Sequence, residues 1–178
     1  PVIQPTYFHF IGEAGLVTPE VSDINTPVRV SVRNLPRGWT FASDLQHGPL
    51  TLGRVWSSIT VGGDFRVIER PEQNVRLAIR GNWGFTDEAF ANEAANIVAG
   101  HRRFFGDAPS PYLVTVIELV SPQEGWLSVG GTGLADAFAF FATPNAESAQ
   151  ITRTLAHEGI HTWIPLQIGG MAPGDAER

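Results

Sequence analysis

The stretch from Asn145 to Pro165 reads NAESAQITRTLAHEGIHTWIP and decides how the second half of the chain is interpreted. Asn145 suits a helix N-cap, because its short polar side chain can accept hydrogen bonds from the first free backbone N–H groups. Apolar residues follow at helical spacing, and Pro165 disfavours helical backbone at the residue before it. The sequence therefore predicts one helix over residues 146–164.

This helix carries the pattern HExxH, formed by His157, Glu158 and His161. Four residues of α-helix turn through about 400°, so both imidazoles leave nearly the same face and can reach one metal ion. Zinc so held lowers the pKa of a bound water towards about 7 and polarises a peptide carbonyl. Glu158 lies about 100° round from His157, where its carboxylate can take the proton of that water and pass it to the leaving amine. We therefore predict that His157 and His161 bind Zn²⁺ and that Glu158 is the catalytic base.

Coincidence is the alternative explanation of this pattern. With 5 His among 178 residues, chance produces an HExxH somewhere in such a chain with a probability of roughly 1%. The predicted helix offers Leu155, Ile160 and Trp163 to bury its other faces. This context favours the zinc interpretation over an accidental surface or core pattern.

The composition excludes several other chemistries. The chain has 178 residues, of which 43% are hydrophobic and 17% charged, so it can bury the core of a globular protein. The net charge of −6 argues against nucleic acid, and the absence of Cys leaves a metal only His, Asp or Glu. All 12 basic residues are Arg, which removes lysine chemistry. No apolar run reaches the roughly 18 residues of a membrane span.

The chain begins at Pro1 instead of Met. Either a leader has been removed or the segment is cropped. We lean towards an exported, periplasmic location.

The remaining sequence predicts an α+β fold that is rich in β-strands at the N-terminus. Apolar and polar residues alternate over 28–32 and 75–80, as in half-buried strands. A helix should begin after Thr86 and stop at Gly106, and the run 112–120 indicates a strand covered on both faces. We interpret 125–133, which is rich in Gly, as a loop, and 137–142 as a short strand. The predicted domains are 1–82, a β-rich unit, and 83–178, which carries HExxH.

A family resemblance extends this interpretation. His157-Glu158-Gly159-Ile160-His161-Thr162-Trp163 resembles the HExxHxW segment of the glycyl aminopeptidase family of zinc peptidases, in the gluzincin group. Leu35-Pro36-Arg37-Gly38-Trp39 is similar to that family's LPxGW turn, and further likeness runs diffusely over about residues 30–168. The resemblance implies a β-rich N-terminal domain followed by the first part of a thermolysin-like catalytic domain.

Two departures from the family pattern concern the site. A gluzincin takes its third zinc ligand from a Glu on a later helix, and the acidic residues after His161 are Asp175 and Glu177. Their surroundings do not resemble that helix, so we expect the third ligand and the transition-state acid to lie beyond Arg178. Where the family has a Gly-Gly-Leu-Glu-His-like segment lining the cleft, this chain has Gly133-Leu134-Ala135-Asp136. Asp136 is then a partial substitute for the Glu that recognises a substrate amine.

We therefore expect a zinc metallopeptidase, aminopeptidase-like, that hydrolyses peptides but is poorly active as this chain alone. The alternative is a non-catalytic peptide-binding or interaction module on a peptidase-like scaffold. The resemblance to only part of a catalytic domain implies exposed apolar surface around Trp163 and Ile164, which a C-terminal part or a second copy would cover. We expect the other histidines, His9, His47 and His101, to have packing or surface positions, and the tryptophans to be core anchors. Glu118, inside an apolar run, requires an Arg partner or a place at a strand end.

Overall fold

The computed structural model describes residues 1–17, 23–46, 48–120 and 123–164. His47, Pro165, Asp175 and Glu177 lie outside these described residues. The helices are α1 (Gly12–Gly15), α2 (Leu52–Trp56), α3 (Asp87–Phe105) and α4 (Ser148–Glu158). The strands are β1 (Val2–Gln4), β2 (Tyr7–Ile11), β3 (Pro27–Val28), β4 (Thr40–Ser43), β5 (Leu50–Thr51), β6 (Ile59–Gly63), β7 (Arg66–Arg70), β8 (Val75–Arg80), β9 (Tyr112–Glu118), β10 (Val129–Leu134) and β11 (Ala137–Ala142). Short 3-10 helices span Asp44–Gln46, Pro71–Gln73 and Gly159–Thr162. Within the described part of the chain, none of the helices has the length and apolarity needed to cross a membrane.

Two sheets form the body of the molecule. The first is antiparallel, with strand order β1-β2-β6-β4. The second has the order β10-β11-β9-β8-β7, in which β11, β9 and β8 are parallel and the two edge strands, β10 and β7, are antiparallel to their neighbours. Helices and strands together confirm the α+β class and the β-rich N-terminal region.

The second sheet is buried on both faces, and this explains its sequence. Successive side chains of a strand point to opposite faces, so Val114 and Val116 pack with α3 and α4 while Leu113 and Ile117 pack towards the first sheet. The prediction of a doubly covered strand in 112–120 is thus confirmed over Tyr112–Glu118. Helices, second sheet and first sheet form three layers.

The helix predicted after Thr86 is confirmed as α3. The Thr86 side chain accepts a hydrogen bond from the Ala89 backbone N–H (3.2 Å), which satisfies one free donor of the first turn. Gly106 ends the helix in a left-handed conformation with φ 70°, which a residue without a Cβ adopts readily.

Two predictions of local structure are wrong. Of the alternating run 28–32, only Val28 belongs to a strand, and Val30 and Val32 remain 42% and 44% exposed. Alternation alone does not make a strand when the segment is not joined to a sheet. The Gly-rich segment predicted as a loop contributes β10, because its residues pair in register with β11, from Val129 opposite Ala142 to Leu134 opposite Ala137.

The predicted division at residue 82 does not coincide with the division between the two sheets. The second sheet takes β7 and β8 from before this position and β9, β10 and β11 from after it. The chain passes from the first sheet to the second between Gly63 and Arg66.

Candidate metal centre

The HExxH residues lie at the C-terminal end of α4 and in the 3-10 helix that continues it. The helix was predicted over 146–164, but it is α-helical only over Ser148–Glu158 and then tightens into the 3-10 helix Gly159–Thr162. Its N-cap is Glu147 instead of Asn145, and the Gln150 side chain accepts a hydrogen bond from the Glu147 backbone N–H at 2.9 Å, as in a capping box. His157 thus stands on the last α-turn and His161 on the tighter turn after it.

The three side chains point towards one another. The Nε2 atom of His157 lies 3.7 Å from Oε1 of Glu158, and the Nε2 atom of His161 lies 3.5 Å from Oε2 of the same carboxylate. The imidazole centroids are 6.4 Å apart. The side chains of His157, Glu158 and His161 are 78%, 35% and 48% exposed. Both imidazoles therefore share the side of the helix predicted from their spacing, and this side is open to solvent.

His161 is held in one tautomer by the backbone. Its Nδ1–H donates to the carbonyl oxygen of Ile164 at 2.9 Å, since a carbonyl can only accept. In the neutral imidazole the single proton is then on Nδ1, and Nε2, the atom near Glu158, has the free lone pair. A neutral imidazole with this second hydrogen bond is the form in which histidine binds metals.

Trp163, two residues after His161, is buried, which confirms it as a core anchor and limits the apolar surface expected around it. It is 2% exposed, stacks on Phe105 with a centroid separation of 5.5 Å, and donates its Nε1–H to Oδ2 of Asp107 at 3.0 Å. Only Ile164 of the predicted apolar pair stays exposed, at 44%. The turn after the HExxH pattern is thus anchored in the protein.

His101 supports the same helix end and is not part of the metal pattern. Its Nε2–H donates to the Ala156 carbonyl at 3.1 Å, one of the carbonyls that the end of an α-helix leaves free. Its ring meets Trp163 edge to face at 5.3 Å. Burial lowers the pKa of His101.

Sequence reasoning missed a hydroxyl pair beneath the site. The Thr162 hydroxyl donates to the Leu134 carbonyl at 2.8 Å, and the Tyr112 hydroxyl lies 2.8 Å from the same Thr162 oxygen. Gly133 permits this close approach: a Cβ there would lie 2.8 Å from the Glu158 carbonyl oxygen and 3.3 Å from Cβ of His161. These contacts join the turn that carries His161 to edge strand β10. The sequence signal was the glycine at the end of that strand.

The described residues supply two imidazoles and one carboxylate at the site, and no group of three or more His, Asp or Glu among them could hold a metal ion.

Asp136, expected as a partial substitute for an amine-binding Glu, forms an ion pair with Arg54 and accepts from the Ser110 hydroxyl at 3.4 Å. Its carboxylate is therefore engaged within the protein. The candidates Asp175 and Glu177 for a third ligand lie outside the described residues.

The other residues discussed above have structural positions. His9 is buried within 3.0 Å of the Thr115 hydroxyl, and burial lowers its pKa to about 4. Glu118 ends β9 and accepts from the Asn82 backbone N–H at 2.8 Å, which confirms the strand-end explanation. Among the tryptophans, Trp163 is a core anchor, whereas Trp126 is exposed.

Comparison with known proteins finds a solved structure with a similar fold. No protein-family profile matches the chain, and no curated protein sequence matches it either. The crystal structure of an aminopeptidase N family protein from Idiomarina loihiensis is similar, with a TM-score of 0.69 over 94% of this chain at 15% sequence identity. The chain spans 32% of that protein's length. The two proteins therefore share a fold over this part of the aminopeptidase.

Proposed function

We propose that this chain belongs to a zinc-dependent peptidase of aminopeptidase-like type, built on a gluzincin scaffold whose second part is a thermolysin-like domain. The observation that carries the proposal is the arrangement at the end of α4, where the Nε2 atoms of two exposed histidines lie 3.7 and 3.5 Å from the Glu158 carboxylate. The fold shared with an aminopeptidase N family protein supports it.

The two imidazoles are donors of the kind that zinc takes. His157 and His161 would hold the ion through Nε2, and the hydrogen bond from His161 Nδ1 to Ile164 prepares that atom for binding. Catalytic zinc sites have three protein ligands, so the third must come from outside the described residues or from another chain. When bound, zinc supplies a Lewis acid for the peptide carbonyl and makes water acidic enough to be deprotonated near neutral pH.

Glu158 is the general base in this proposal. Its carboxylate lies 3.7 and 3.5 Å from the two Nε2 atoms, so it would be close to a water held by a metal at those atoms. It would accept the proton of that water at one carboxylate oxygen and return it to the nitrogen of the leaving amine. The Glu158 side chain has no other hydrogen-bond role among the described contacts, so it is free for both transfers.

Strand β10 supports a peptide as the substrate. It is an edge of the second sheet, so one side of its backbone is not used for pairing with β11. An extended peptide can add to such an edge through backbone hydrogen bonds. Gly133 brings this edge against Glu158 and His161, so a peptide aligned on β10 would pass the candidate metal centre.

A non-catalytic peptide-binding module remains the second candidate function. The engagement of Asp136 by Arg54 favours it, because the residue expected to recognise a substrate amine is already paired. Such a module would use the β10 edge without needing the metal.

Metal content and peptide hydrolysis distinguish the two functions. We expect purified protein to bind Zn²⁺, to lose most of that affinity in His157→Ala and His161→Ala, and to hydrolyse unstructured peptides only with zinc. His101→Ala is the matched control, since that histidine supports the helix end without facing Glu158. Peptide binding that persists in a chelator, together with equal zinc affinity in wild type and both histidine variants, would identify the binding module.

A further inference from the structure

The turn that carries His161 is exposed on one side and fixed on the other. His161 itself is 48% exposed, whereas its neighbours Thr162 and Trp163 are each 2% exposed. We infer that Thr162 is a positioning residue: its hydroxyl joins the His161 turn to edge strand β10 and so holds the His161 imidazole in its metal-binding orientation. This inference rests on the proposed function and adds a residue that the HExxH pattern does not contain.

The direction of each hydrogen bond follows from the number of protons. Thr162 has one hydroxyl proton, and the Leu134 carbonyl, 2.8 Å away, can only accept it. The Tyr112 hydroxyl, 2.8 Å from the same oxygen, must then donate to Thr162. Burial raises the pKa of Tyr112, so that its hydroxyl stays protonated and remains a donor. The two hydrogen bonds therefore run from the Tyr112 hydroxyl on β9 to Thr162, and from Thr162 to the Leu134 carbonyl on β10.

Among the described residues, two further sets of hydrogen bonds act on this turn. The backbone N–H groups of Trp163 and Ile164 both donate to the Ile160 carbonyl, at 2.9 Å each, which shapes the turn but ties it only to itself. Trp163 anchors its far end through Asp107. Thr162 is the anchor on the strand side, at Leu134, one residue after Gly133, where a Cβ would meet Glu158 and His161.

Loss of the Thr162 hydroxyl therefore has a defined consequence. The buried Tyr112 O–H would lose its acceptor and the Leu134 carbonyl its donor, and both would then favour rearrangement of the turn. The Ile164 carbonyl would move relative to Nδ1 of His161, and the proton could shift to Nε2. An Nε2–H imidazole cannot bind metal through that atom.

The test compares four substitutions in the intact chain. Thr162→Val removes the hydroxyl with little change of shape, Thr162→Ser keeps it, and Tyr112→Phe removes only the donor to it. Thr154→Val is the matched control, because the Thr154 hydroxyl donates to the Gln150 carbonyl within α4. Two quantities are measured: the affinity for Co²⁺ and Zn²⁺, with the Co²⁺ absorption spectrum, and the His161 tautomer from long-range ¹H–¹⁵N spectra of the metal-free protein.

We expect Thr162→Val to lower metal affinity by about 10- to 100-fold, the effect typical of partners that orient a ligand. It should also mix the Nδ1–H and Nε2–H tautomers of His161. Thr162→Ser and Thr154→Val should match wild type, and Tyr112→Phe should change both quantities in the direction of Thr162→Val. If Thr162→Val fails to fold, Tyr112→Phe and Thr162→Ser decide the question by the same two measurements.

Unchanged tautomer and unchanged metal affinity in Thr162→Val or Tyr112→Phe would overturn the inference. An equal loss in Thr154→Val would do so too, since the effect would then be one of general helix stability. Failure of the proposed function has a different signature: His157→Ala and His161→Ala would bind metal as well as wild type. In that case the tautomer spectra still decide whether Thr162 positions His161.

Discussion

Glu158 is the residue on which the proposed chemistry depends. Glu158→Gln leaves both imidazoles in place but replaces the carboxylate by an amide, which cannot accept the proton of a water. We expect zinc content to stay at the wild-type level and kcat for peptide hydrolysis to fall by about 100-fold or more, with little change in KM. Zinc analysis and steady-state kinetics check this. Equal turnover in the variant and wild type would reject Glu158 as the base.

Asp44 is a buried carboxylic acid whose pKa is raised in the folded protein. Its Oδ1 accepts from the Ile59 backbone N–H at 2.8 Å, while Oδ2 is buried without a hydrogen-bond partner among the described residues. Burial raises its pKa from 3.8 to about 6, a change that the Ile59 N–H and Arg54 partly oppose and Asp136 slightly increases. The folded protein therefore holds this proton more tightly than the unfolded chain does.

The raised pKa of Asp44 makes the folded protein less stable as the pH rises. The contribution of protonated Asp44 to stability is fully present below pH 3.8 and is lost as the pH rises through about 6. Above that pH the folded protein must hold a buried carboxylate, so its stability stays lower. Asp44→Asn cannot ionise, so its unfolding free energy relative to wild type should increase by about 2–3 kcal/mol between pH 4 and pH 7. Urea unfolding of both proteins across this range measures the difference. Parallel stability curves would show that Asp44 has an ordinary acidity in the folded state.

At the scale of elements, the contact between β10 and the end of α4 depends on one glycine. A Cβ at Gly133 would lie 2.8 Å from the Glu158 carbonyl oxygen, closer than such atoms approach in proteins. Gly133→Ala should therefore push the 3-10 helix away from the strand, destabilise the protein by about 1–3 kcal/mol and weaken zinc binding. Thermal unfolding and zinc titration provide the two measurements.

Gly130→Ala is the matched control for this substitution. It lies in the same strand, and a Cβ there would meet no atom within 4 Å. We expect its stability and zinc affinity to stay near the wild-type values. The same loss in both variants would mean that alanine disturbs β10 itself instead of its contact with α4.

The change from α4 to the 3-10 helix depends on contacts with distant parts of the chain. Spacing predicts a continuous α-helix through residue 164, and glycine at position 159 only weakens that expectation. In the structure, Thr162 bonds to Leu134 and Trp163 to Asp107, which fixes the next residues in the tighter winding. The partners lie 28 and 56 residues away in sequence, so no local pattern contains them.

At the scale of the whole molecule, the number of zinc donors predicts how firmly the metal is held. The described residues offer two histidines to the ion, and catalytic zinc requires three protein ligands. The 178-residue chain should therefore lose zinc on dialysis and hydrolyse peptides poorly, unless another chain completes the site. Zinc analysis after dialysis, with the oligomeric state measured alongside, checks this expectation.

Stoichiometric, tightly held zinc in a monomer of this chain would contradict that prediction. Glu177, which lies outside the described residues, would then be the leading third ligand. Glu177→Gln would lower the zinc affinity in that case and would leave it unchanged otherwise. A C-terminal part or a second copy as the cover of exposed surface near Ile164 also stays a prediction.

Several features followed from the sequence alone because they depend on neighbouring residues. The Thr86 cap and the Gly106 stop define α3 within the chain segment that contains them. The unbroken apolar run of β9 requires cover on both faces wherever it lies. The spacing of His157 and His161 places both on one side through helix geometry, whereas the chemistry that the pattern with Glu158 indicates stays a prediction.

Only the tertiary structure decided the features that depend on distant partners. The alternating run 28–32 is not a strand beyond Val28, whereas the Gly-rich β10 is one, because pairing with a neighbouring strand determines a strand more strongly than its own residues do. Trp163 is buried because Phe105 and Asp107 meet it there. The orientation of His161 likewise rests on a threonine bound to β10, a contact that forms only after the sheet and the helix have packed together.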